Sequence, residues 1–456
     1  MLKVLVFLLV FLSALPAIRP YVLILSVKGS ACFSTLTERG LVICGWIEFE
    51  DRWRGFVALV NEDLEWLVVV GEAYELRKAV VVRDTLVVCG SWFIGGFDLE
   101  SGEFKWGYSS EEWLNDLEVL SDDKVLVCGV GFVAVISSNG DILVEKRIEV
   151  SRRGEFIKPF LFASCILKDH VVLAGAAFNM FSKNSRLDCI VVSLSLKDFT
   201  PLWCICFGDV YQDRLYGAEC DGDSVYVTGH SVSRSRMVQE AVVACINYTG
   251  GLKWCKTISA RGWSFGTSLT VSRNSLCVVG FTEIAKKSRV LAVFLNKVDG
   301  SLREAYSMRL GDSTKVPLGA HVEKYLEGVF ISGSSSSHPL VVYWPYFFVG
   351  NVSLSNNSTL FTENSSVIVH DWSARVKKIE ARVLEDKELH RKNFTVEKLK
   401  VSIVSGGKIP KLSPDREPYG VLDLMIIMIA CMVVLLFIVK DIRKHVLKRG
   451  AQRTQV

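Results

Sequence analysis

The stretch Leu86–Gly90, which reads LVVCG, is one copy of a short pattern that decides the fold. Apolar runs that end in glycine recur seven times, at intervals of 39 to 54 residues. A period of this length is typical of propellers and solenoids. The copies are LVICG (41–45), LVVCG (86–90), VLVCG (125–129), VVLAG (171–175), VYVTG (225–229), LCVVG (276–280) and VFISG (329–333).

Each glycine-ended run belongs to a repeat of four short apolar segments. One segment precedes the run, and two follow it, joined by turns rich in Asp, Asn, Ser or Gly. Because a single four-stranded sheet cannot bury both faces, such units stack radially around a channel. We therefore predict an all-β fold, with a β-propeller of about seven four-stranded blades over residues 18–345. The count of runs leaves six or eight blades open.

The first repeat-like segment of the chain stands alone. YVLILSVKG, from Tyr21, resembles the last strand of a repeat, but no earlier strands precede it. The final repeat, in turn, ends after PLVVYW near Trp344. We therefore predict that the N-terminal segment completes the final sheet, which closes the ring and removes two exposed edges.

Two apolar segments lie outside the repeats. Residues 1–17 have a basic start, an apolar run and small residues, which predicts a secretory signal peptide, with an uncleaved anchor as the alternative. Residues 420–439 are long enough to cross a lipid bilayer. A basic tail, residues 440–456, follows them. Because basic residues stay on the cytoplasmic side, we predict a single-pass protein of the cell membrane, with its ectodomain outside and its tail inside.

The segment between the repeats and the apolar span alternates apolar and polar residues. Residues 346–407 are therefore predicted to form a small β-rich stalk domain, and residues 408–419, which follow Gly406 and Gly407 and contain three Pro, a linker. Five of the six N-glycosylation sequons lie in residues 346–407, and together the sequons predict a surface glycoprotein. They begin at Asn247, Asn351, Asn356, Asn357, Asn364 and Asn393.

Charge excludes one class of partner. The net charge is +4, but the last seventeen residues carry six Lys or Arg against a single Asp. The rest of the chain therefore has no broad basic field, and nucleic acid is not expected as a partner. The chain has only four Gln and many Val, Lys and Arg, which favours a thermophilic, archaeal source.

Two segments resemble the tryptophan-docking motif of pyrroloquinoline-quinone-like β-propellers. They are FDLESGEFKW (97–106) and, more loosely, INYTGGLKW (246–254). The resemblance implies that the motif tryptophans pack between adjacent blades. The enzymes of that superfamily carry a vicinal Cys-Cys pair beside the cofactor and usually have eight blades, and this sequence has no such pair. The resemblance therefore implies a structural role for four tryptophans and no bound quinone. They are Trp66, Trp106, Trp203 and Trp254.

Thirteen cysteines suggest disulfides in an exported protein. Cys44, Cys89 and Cys128 occupy equivalent repeat positions, where buried apolar packing is the simpler interpretation. Cys245 and Cys255 flank a turn at Gly250, and we predict a disulfide between them. A register slip of one residue would place Trp254 opposite Cys245 instead.

No motif predicts catalysis, a cofactor or a metal ion. The chain lacks CxxC, HxxxH, GxSxG, HExxH and P-loop patterns. We therefore predict a non-enzymatic surface module that binds a protein or a glycan. The alternatives are an extracellular quinoprotein-like oxidoreductase or hydrolase with its site at the channel mouth, and a sensor that acts through a partner. Acidic residues converging in the channel would favour the enzyme.

Overall fold

The described part of the chain is built from β-strands. The computed structural model describes residues 21–406, apart from gaps at residues 62, 182–185, 209–211, 233–237, 261, 273, 285–286, 311–321, 326–327, 336–337, 346–350, 354–358, 365–367, 372–374, 380, 386–388, 392–395 and 399–402. Val, Ile, Leu and Phe dominate the strands, and Asp, Asn, Ser and Gly occupy many of the turns between them.

The strands form seven antiparallel sheets, which we number in chain order. Four consecutive strands form the body of each sheet from 1 to 6. Sheet 1 has β2 (Gly29–Thr37), β3 (Gly40–Phe49), β4 (Arg52–Val60) and β5 (Leu64–Val70). Sheet 2 has β6 (Lys78–Val82), β7 (Thr85–Gly90), β8 (Phe93–Asp98) and β9 (Phe104–Ser110). Sheet 3 has β10 (Leu114–Ser121), β11 (Lys124–Gly129), β12 (Phe132–Ser137) and β13 (Ile142–Arg152), followed by β14 (Glu155–Ile157).

The next three sheets repeat this order. Sheet 4 has β15 (Phe160–Leu167), β16 (His170–Ala177), β17 (Asp188–Ser195) and β18 (Pro201–Gly208). Sheet 5 has β19 (Asp213–Asp221), β20 (Ser224–Val232), β21 (Gln239–Asn247) and β22 (Leu252–Ser259). Sheet 6 has β23 (Trp263–Val271), β24 (Ser275–Ile284), β25 (Lys287–Asn296) and β26 (Leu302–Leu310).

Sheet 7 joins the two ends of the repeat region. It contains β27 (Val322–Tyr325), β28 (Gly328–Ser335) and β29 (His338–Pro345), and its fourth strand is β1 (Tyr21–Leu25). β1 pairs antiparallel with β29, with Tyr21 opposite Tyr343 and Ile24 opposite Leu340. The prediction that the N-terminal segment completes the last sheet is therefore confirmed.

The first strands of the sheets contact one another around a central channel. β2, β6, β10, β15, β19, β23 and β27 follow in this order, and β27 returns to β2. The predicted all-β β-propeller fold is therefore confirmed. Buried apolar clusters lie between adjacent sheets, such as the cluster that joins Val57 and Val68 of sheet 1 to Leu86 and Phe97 of sheet 2.

The segment after β29 does not form a separate stalk, so that prediction is wrong. Seven of its described strands each pair with the outer strand of a sheet, one more extends sheet 6, and a single compact unit contains them together with the ring. We call residues 351–406 the outer belt. Its strands are β30 (Asn351–Ser353), β31 (Thr359–Asn364), β32 (Ile368–Asp371), β33 (Arg375–Lys378), β34 (Ala381–Glu385), β35 (Leu389–Arg391), β36 (Val396–Lys398) and β37 (Ile403–Gly406).

The outer belt makes one full circuit of the ring in reverse order. β31 pairs with sheet 6, and β32, β33, β34, β35 and β36 pair with sheets 5, 4, 3, 2 and 1 in turn. β37 then pairs with β1 in sheet 7. A side-chain contact supports the pairing in sheet 3, where Arg382 Nε donates to Glu149 Oε2 over 2.6 Å and the guanidinium lies 4.0 Å from the Phe156 ring centroid. The alternating pattern predicted strands correctly, but their partners are the seven outer edges.

No helix within the described residues is long and apolar enough to cross a membrane. The predicted signal peptide (1–17), linker (408–419), membrane span (420–439) and tail (440–456) lie outside the described residues.

The four motif tryptophans lie at contacts between adjacent sheets. The indole nitrogen of Trp106, in sheet 2, donates to the Ser138 carbonyl of sheet 3 over 2.9 Å. A side chain at Gly140, whose φ is +91°, would lie 2.6 Å from the Trp106 ring. Trp66, Trp203 and Trp254 pack in the same way on the turns at Gly102, Gly250 and Gly300 of the next sheet. These turns need glycine because the tryptophan occupies the space of a side chain and φ is positive.

The belt predicts a measurable effect of truncation. We expect a chain that ends at Pro345 to lose hydrogen-exchange protection in fourth strands such as β9, β13 and β18, because their edge amides lose their partners. First-strand amides should keep their protection. A chain that ends at Leu412 keeps the belt and serves as the control. Equal protection of the fourth strands in both chains would contradict the pairing.

The tryptophan contacts predict a large effect of one substitution. Trp106 is 3% exposed, so Trp106→Ala should lower the free energy of unfolding by about 3–5 kcal/mol through the cavity it leaves. Trp263 is 50% exposed, so Trp263→Ala is the matched control and should change little. Denaturant unfolding measures both variants. An equal, small effect would show that Trp106 does not hold sheets 2 and 3 together.

Candidate functional site

The repeat glycines mark the place where side chains turn into the channel. At Gly45, Gly90, Gly129, Gly175, Gly229 and Gly280, an added Cβ would lie 1.7 to 2.3 Å from a carbonyl oxygen of the first strand or its approach. In five sheets the first strand has a register shift opposite this glycine. Such a bulge leaves one residue unpaired and redirects its side chain. The unpaired residues are Cys32, Asn115, Phe162, Tyr216 and Thr267. In sheet 2 the equivalent residue is Arg77, which follows the close contact of Leu76 with Gly90.

All six of these residues, which we call the bulge residues, line one cavity of 260 Å³ in the channel. Their neighbours on the first strands complete the wall, with Phe33, Glu75, Lys78, Asp116, Arg214 and Glu219 among them. The cavity is therefore a composite of six sheets, with three cationic and three acidic side chains facing it. No family motif in the sequence predicts this set, because each residue comes from a different repeat.

One end of the cavity is formed where the first strands begin, and we call it the mouth. Arg77 forms an ion pair with Glu75, donates to Asn115 Oδ1 over 2.6 Å, and lies 4.7 Å from the Trp113 ring centroid. Asn115 in turn donates to the Leu161 carbonyl over 2.7 Å. The Arg77 guanidinium is thus held by neighbours on two sheets.

Across the mouth from Arg77 stands Arg214, at the start of β19. It lies beside Tyr216. The Tyr216 ring is tilted against Phe162 and stacked on His230, and in each pair the ring centroids are 5.5 Å apart. Burial, and then the charge of Arg214, lowers the pKa of His230 to about 3, so this imidazole is neutral. Burial raises the pKa of Tyr216, which remains a hydroxyl donor. Arg214 is therefore the charged group on this side of the mouth, beside a neutral imidazole and a neutral phenol.

Deeper in the channel, three carboxyl groups surround one ammonium group. Lys78 Nζ lies 3.2 Å from Asp116 Oδ1 and 4.0 Å from Glu118 Oε1. Asp116 also accepts hydrogen bonds from Ser164, at 2.6 Å from the amide and 2.9 Å from the hydroxyl. Burial, partly offset by Lys78, raises the pKa of Glu118 well above its ordinary value and that of Glu219 to about 7. The sequence analysis expected that acidic residues converging in the channel would favour an enzyme. The channel contains such residues.

The disulfide in the structure lies in the channel wall. Cys165 of β15 and Cys220 of β19 are bonded, which links sheets 4 and 5. The predicted Cys245–Cys255 disulfide is wrong, because Trp254 lies opposite Cys245 and both thiols are free. A bulge next to Cys245 causes this shift of one residue. Cys44, Cys89 and Cys128 are buried free thiols.

The mouth opens within a face of the propeller that carries exposed aromatic residues. In each sheet the first strand starts and the second ends on this face, because neighbouring strands are antiparallel. The exposed large aromatic residues of the described chain all lie here, and we call them the aromatic face. They are Trp53 (48% exposed), Tyr74 (40%), Trp92 (42%), Phe178 (44%) and Trp263 (50%).

Aromatic contacts connect part of the aromatic face to the mouth. Trp53 stacks on Trp46 with ring centroids 4.7 Å apart, and Tyr74 lies 5.3 Å from Trp53. Trp92 contacts Trp113, at 5.2 Å, which itself contacts Arg77 of the mouth. The other exposed large hydrophobic residues of the described chain are all aliphatic. Leu143, Leu202, Val298 and Leu302 lie on the opposite face, at or near turns between third and fourth strands, and Val119 lies in the first strand β10.

The glycosylation candidates mostly have no described side chain. The side chains of Asn351 and Asn364, in β30 and β31, and the whole of Asn356, Asn357 and Asn393 lie outside the described residues. Asn247 is half-buried at the turn between β21 and β22, where its Oδ1 accepts from the amides of Thr249 and Gly251 over 3.0 and 2.6 Å. It therefore shapes a turn. In the described residues, no three His, Cys, Asp or Glu side chains are placed to hold a metal ion.

Comparisons with known proteins do not assign this chain to a family. No family model matches the chain, and no curated protein matches its sequence. Similar solved structures include BamB from Moraxella catarrhalis, at 12% identity over 70% of this chain and 100% of that one, with a TM-score of 0.39. The AfRom2 CNH domain has 10% identity, coverage of 72% and 100%, and a TM-score of 0.45. Hsv2 from Kluyvelomyces marxianus has 9% identity, coverage of 75% and 99%, and a TM-score of 0.40. At these identities and TM-scores the likeness carries no argument about this chain.

The pKa of Glu219 predicts a pH dependence of stability. Between the ordinary value of 4.5 and about 7, the folded chain keeps the Glu219 proton and the unfolded chain loses it. Its contribution to the free energy of unfolding therefore falls as the pH rises through this window. Glu219→Gln should flatten the fall, measured by denaturant unfolding at several pH values.

The matched control is Glu103→Gln, which removes an exposed carboxylate from a turn of sheet 2. It should leave the pH profile of the native chain in place. A Glu219→Gln profile that is indistinguishable from the native one would contradict the assignment.

Proposed function

We propose that this chain is a non-enzymatic, membrane-anchored extracellular β-propeller that binds a protein partner at the cell surface through its aromatic face. The observation that carries the proposal is the set of five exposed aromatic side chains around the channel mouth. Tryptophan, tyrosine and arginine are the residues most enriched at binding hot spots. Exposed apolar residues that are concentrated on one face of a protein commonly mark an interaction site.

Two further observations support export and a surface location. The Cys165–Cys220 disulfide is of the kind that persists in oxidising compartments. The N-terminal signal pattern and the apolar segment 420–439 are consistent with an exported, anchored chain. In this proposal the lipid bilayer is a partner only through residues 420–439.

The second candidate is an extracellular enzyme with its site in the channel. The carboxyl groups of Asp116, Glu118 and Glu219 favour it, because a protonated acid beside an ionised one is the arrangement used in glycoside hydrolysis. It ranks second because Asp116 is already engaged by Lys78 and Ser164. These contacts are typical of a structural ion pair.

A photo-crosslinking experiment tests the proposed function. A photoreactive amino acid replaces Trp92, on the aromatic face, or Leu202, which is 47% exposed on the opposite face. In native membranes we expect discrete adducts from position 92 and few from position 202. Digestion of the adduct by protease identifies a protein partner, whereas digestion only by glycosidase would identify a glycan. Absence of adducts at position 92, or equal adducts at both positions, would overturn the proposal.

A further inference from the structure

Arg214 is a cation of the cavity whose charge has no ionic partner within the described residues. Arg77 is paired with Glu75, and Lys78 with Asp116 and Glu118. No described carboxylate lies within ion-pair distance of Arg214, and its Nε is buried without a hydrogen-bond partner. A guanidinium placed in this way has unused donors and a charge that burial leaves poorly solvated.

The surroundings of Arg214 suit an anion. Tyr216, and Ser268 of the next sheet, line the same cavity. The hydroxyl of Thr267, also on the next sheet, is already used, because it donates to the Val279 carbonyl over 3.1 Å. His230, behind Tyr216, is neutral and adds no competing charge. A planar guanidinium beside hydroxyl donors is the arrangement that binds a carboxylate through charge-assisted hydrogen bonds.

The aromatic face indicates how such a carboxylate would arrive. Trp53, Tyr74 and Trp92 belong to the region of sheets 1 and 2, whereas Phe178 and Trp263 belong to sheets 4 and 6. Exposed aromatic residues therefore lie on more than one side of the mouth. A ligand that uses both sides crosses the mouth and continues beyond it, so its anionic group is a side chain in the middle of a segment rather than a chain terminus.

We infer that the partner is a polypeptide segment that lays apolar or aromatic side chains on the aromatic face and inserts one Asp or Glu side chain into the mouth, against Arg214. The inference rests on the proposed function and specifies the chemistry of the partner. Arg77, already neutralised by Glu75, forms the opposite wall and leaves Arg214 as the attracting charge. Binding of this kind weakens as salt is added, since the attraction is electrostatic.

The test selects peptides from a displayed random library on the full chain and measures their affinities. We expect the selected peptides to share an internal Asp or Glu flanked by apolar residues. Replacing that residue by Asn or Gln should lower the affinity roughly tenfold or more. Amidation of the peptide C-terminus should have no effect.

The protein variants form a double-mutant cycle with the peptide. Arg214→Gln should cause the same loss as the peptide substitution, and the two together should cost no more than either alone. Arg214→Lys should lose less, because it keeps the charge. Arg303→Gln, which removes an exposed arginine near the opposite face, is the control and should bind normally. The thermal unfolding transition and the Cys165–Cys220 disulfide show whether each variant is folded.

The outcomes separate this inference from the proposed function. If Trp92→Ala weakens binding but Arg214→Gln does not, the aromatic face binds a partner, and the proposed contact between an acidic side chain and Arg214 is wrong. If amidation of the C-terminus abolishes binding, a terminal carboxylate is the anchor and the internal segment is wrong. If neither Trp92→Ala nor Arg214→Gln has an effect, or no peptide is selected, both the inference and the use of this face in peptide binding fail.

Discussion

The close contact between the repeat glycine and the first strand is the constraint on which the rest of the structure depends. At Gly175, Gly229 and Gly280 a Cβ would lie 1.7 Å from a carbonyl oxygen, a distance that no side chain tolerates. The glycine lets the two backbones approach at the bulge, and in each of these three sheets the bulge turns one residue toward the channel. The feature that marks the repeat in the sequence is thus also the feature that builds the cavity.

The ring is closed by its two ends, which meet in sheet 7. β1 pairs with β29 on one side and with β37, the last strand of the outer belt, on the other. The belt covers the fourth strand of every sheet, so seven edges that would otherwise offer unpaired backbone groups are occupied. Edge coverage of this kind leaves the two open ends of the ring without added strands. One of them carries the aromatic face.

Charge is divided along the channel between its mouth and its depth. At the mouth, Arg77 and Arg214 face each other with Glu75 as the near acid. Farther in, Asp116, Glu118 and Glu219 outnumber Lys78, and burial raises the pKa values of the two glutamates. Protonation removes part of the excess negative charge at neutral pH, so the deep cluster is largely self-compensated while the mouth remains cationic. This division favours the mouth as the place where an anion binds.

The sequence by itself determined the repeat, the four-strand unit and the role of the N-terminal strand, whereas the packing of the motif tryptophans between sheets was implied by a family resemblance. The first three depend on local patterns, because a glycine, a turn and an alternating strand each act within a few residues. It did not determine the cavity, since Arg77, Arg214 and Glu219 converge only when different sheets surround one axis. The predictions of a separate stalk domain and of a Cys245–Cys255 disulfide were wrong. A short alternating strand has no local signal for its partner, and a bulge of one residue replaced Cys255 by Trp254 opposite Cys245. Only the tertiary structure decided these points, because they depend on register and on contacts between residues far apart in the chain.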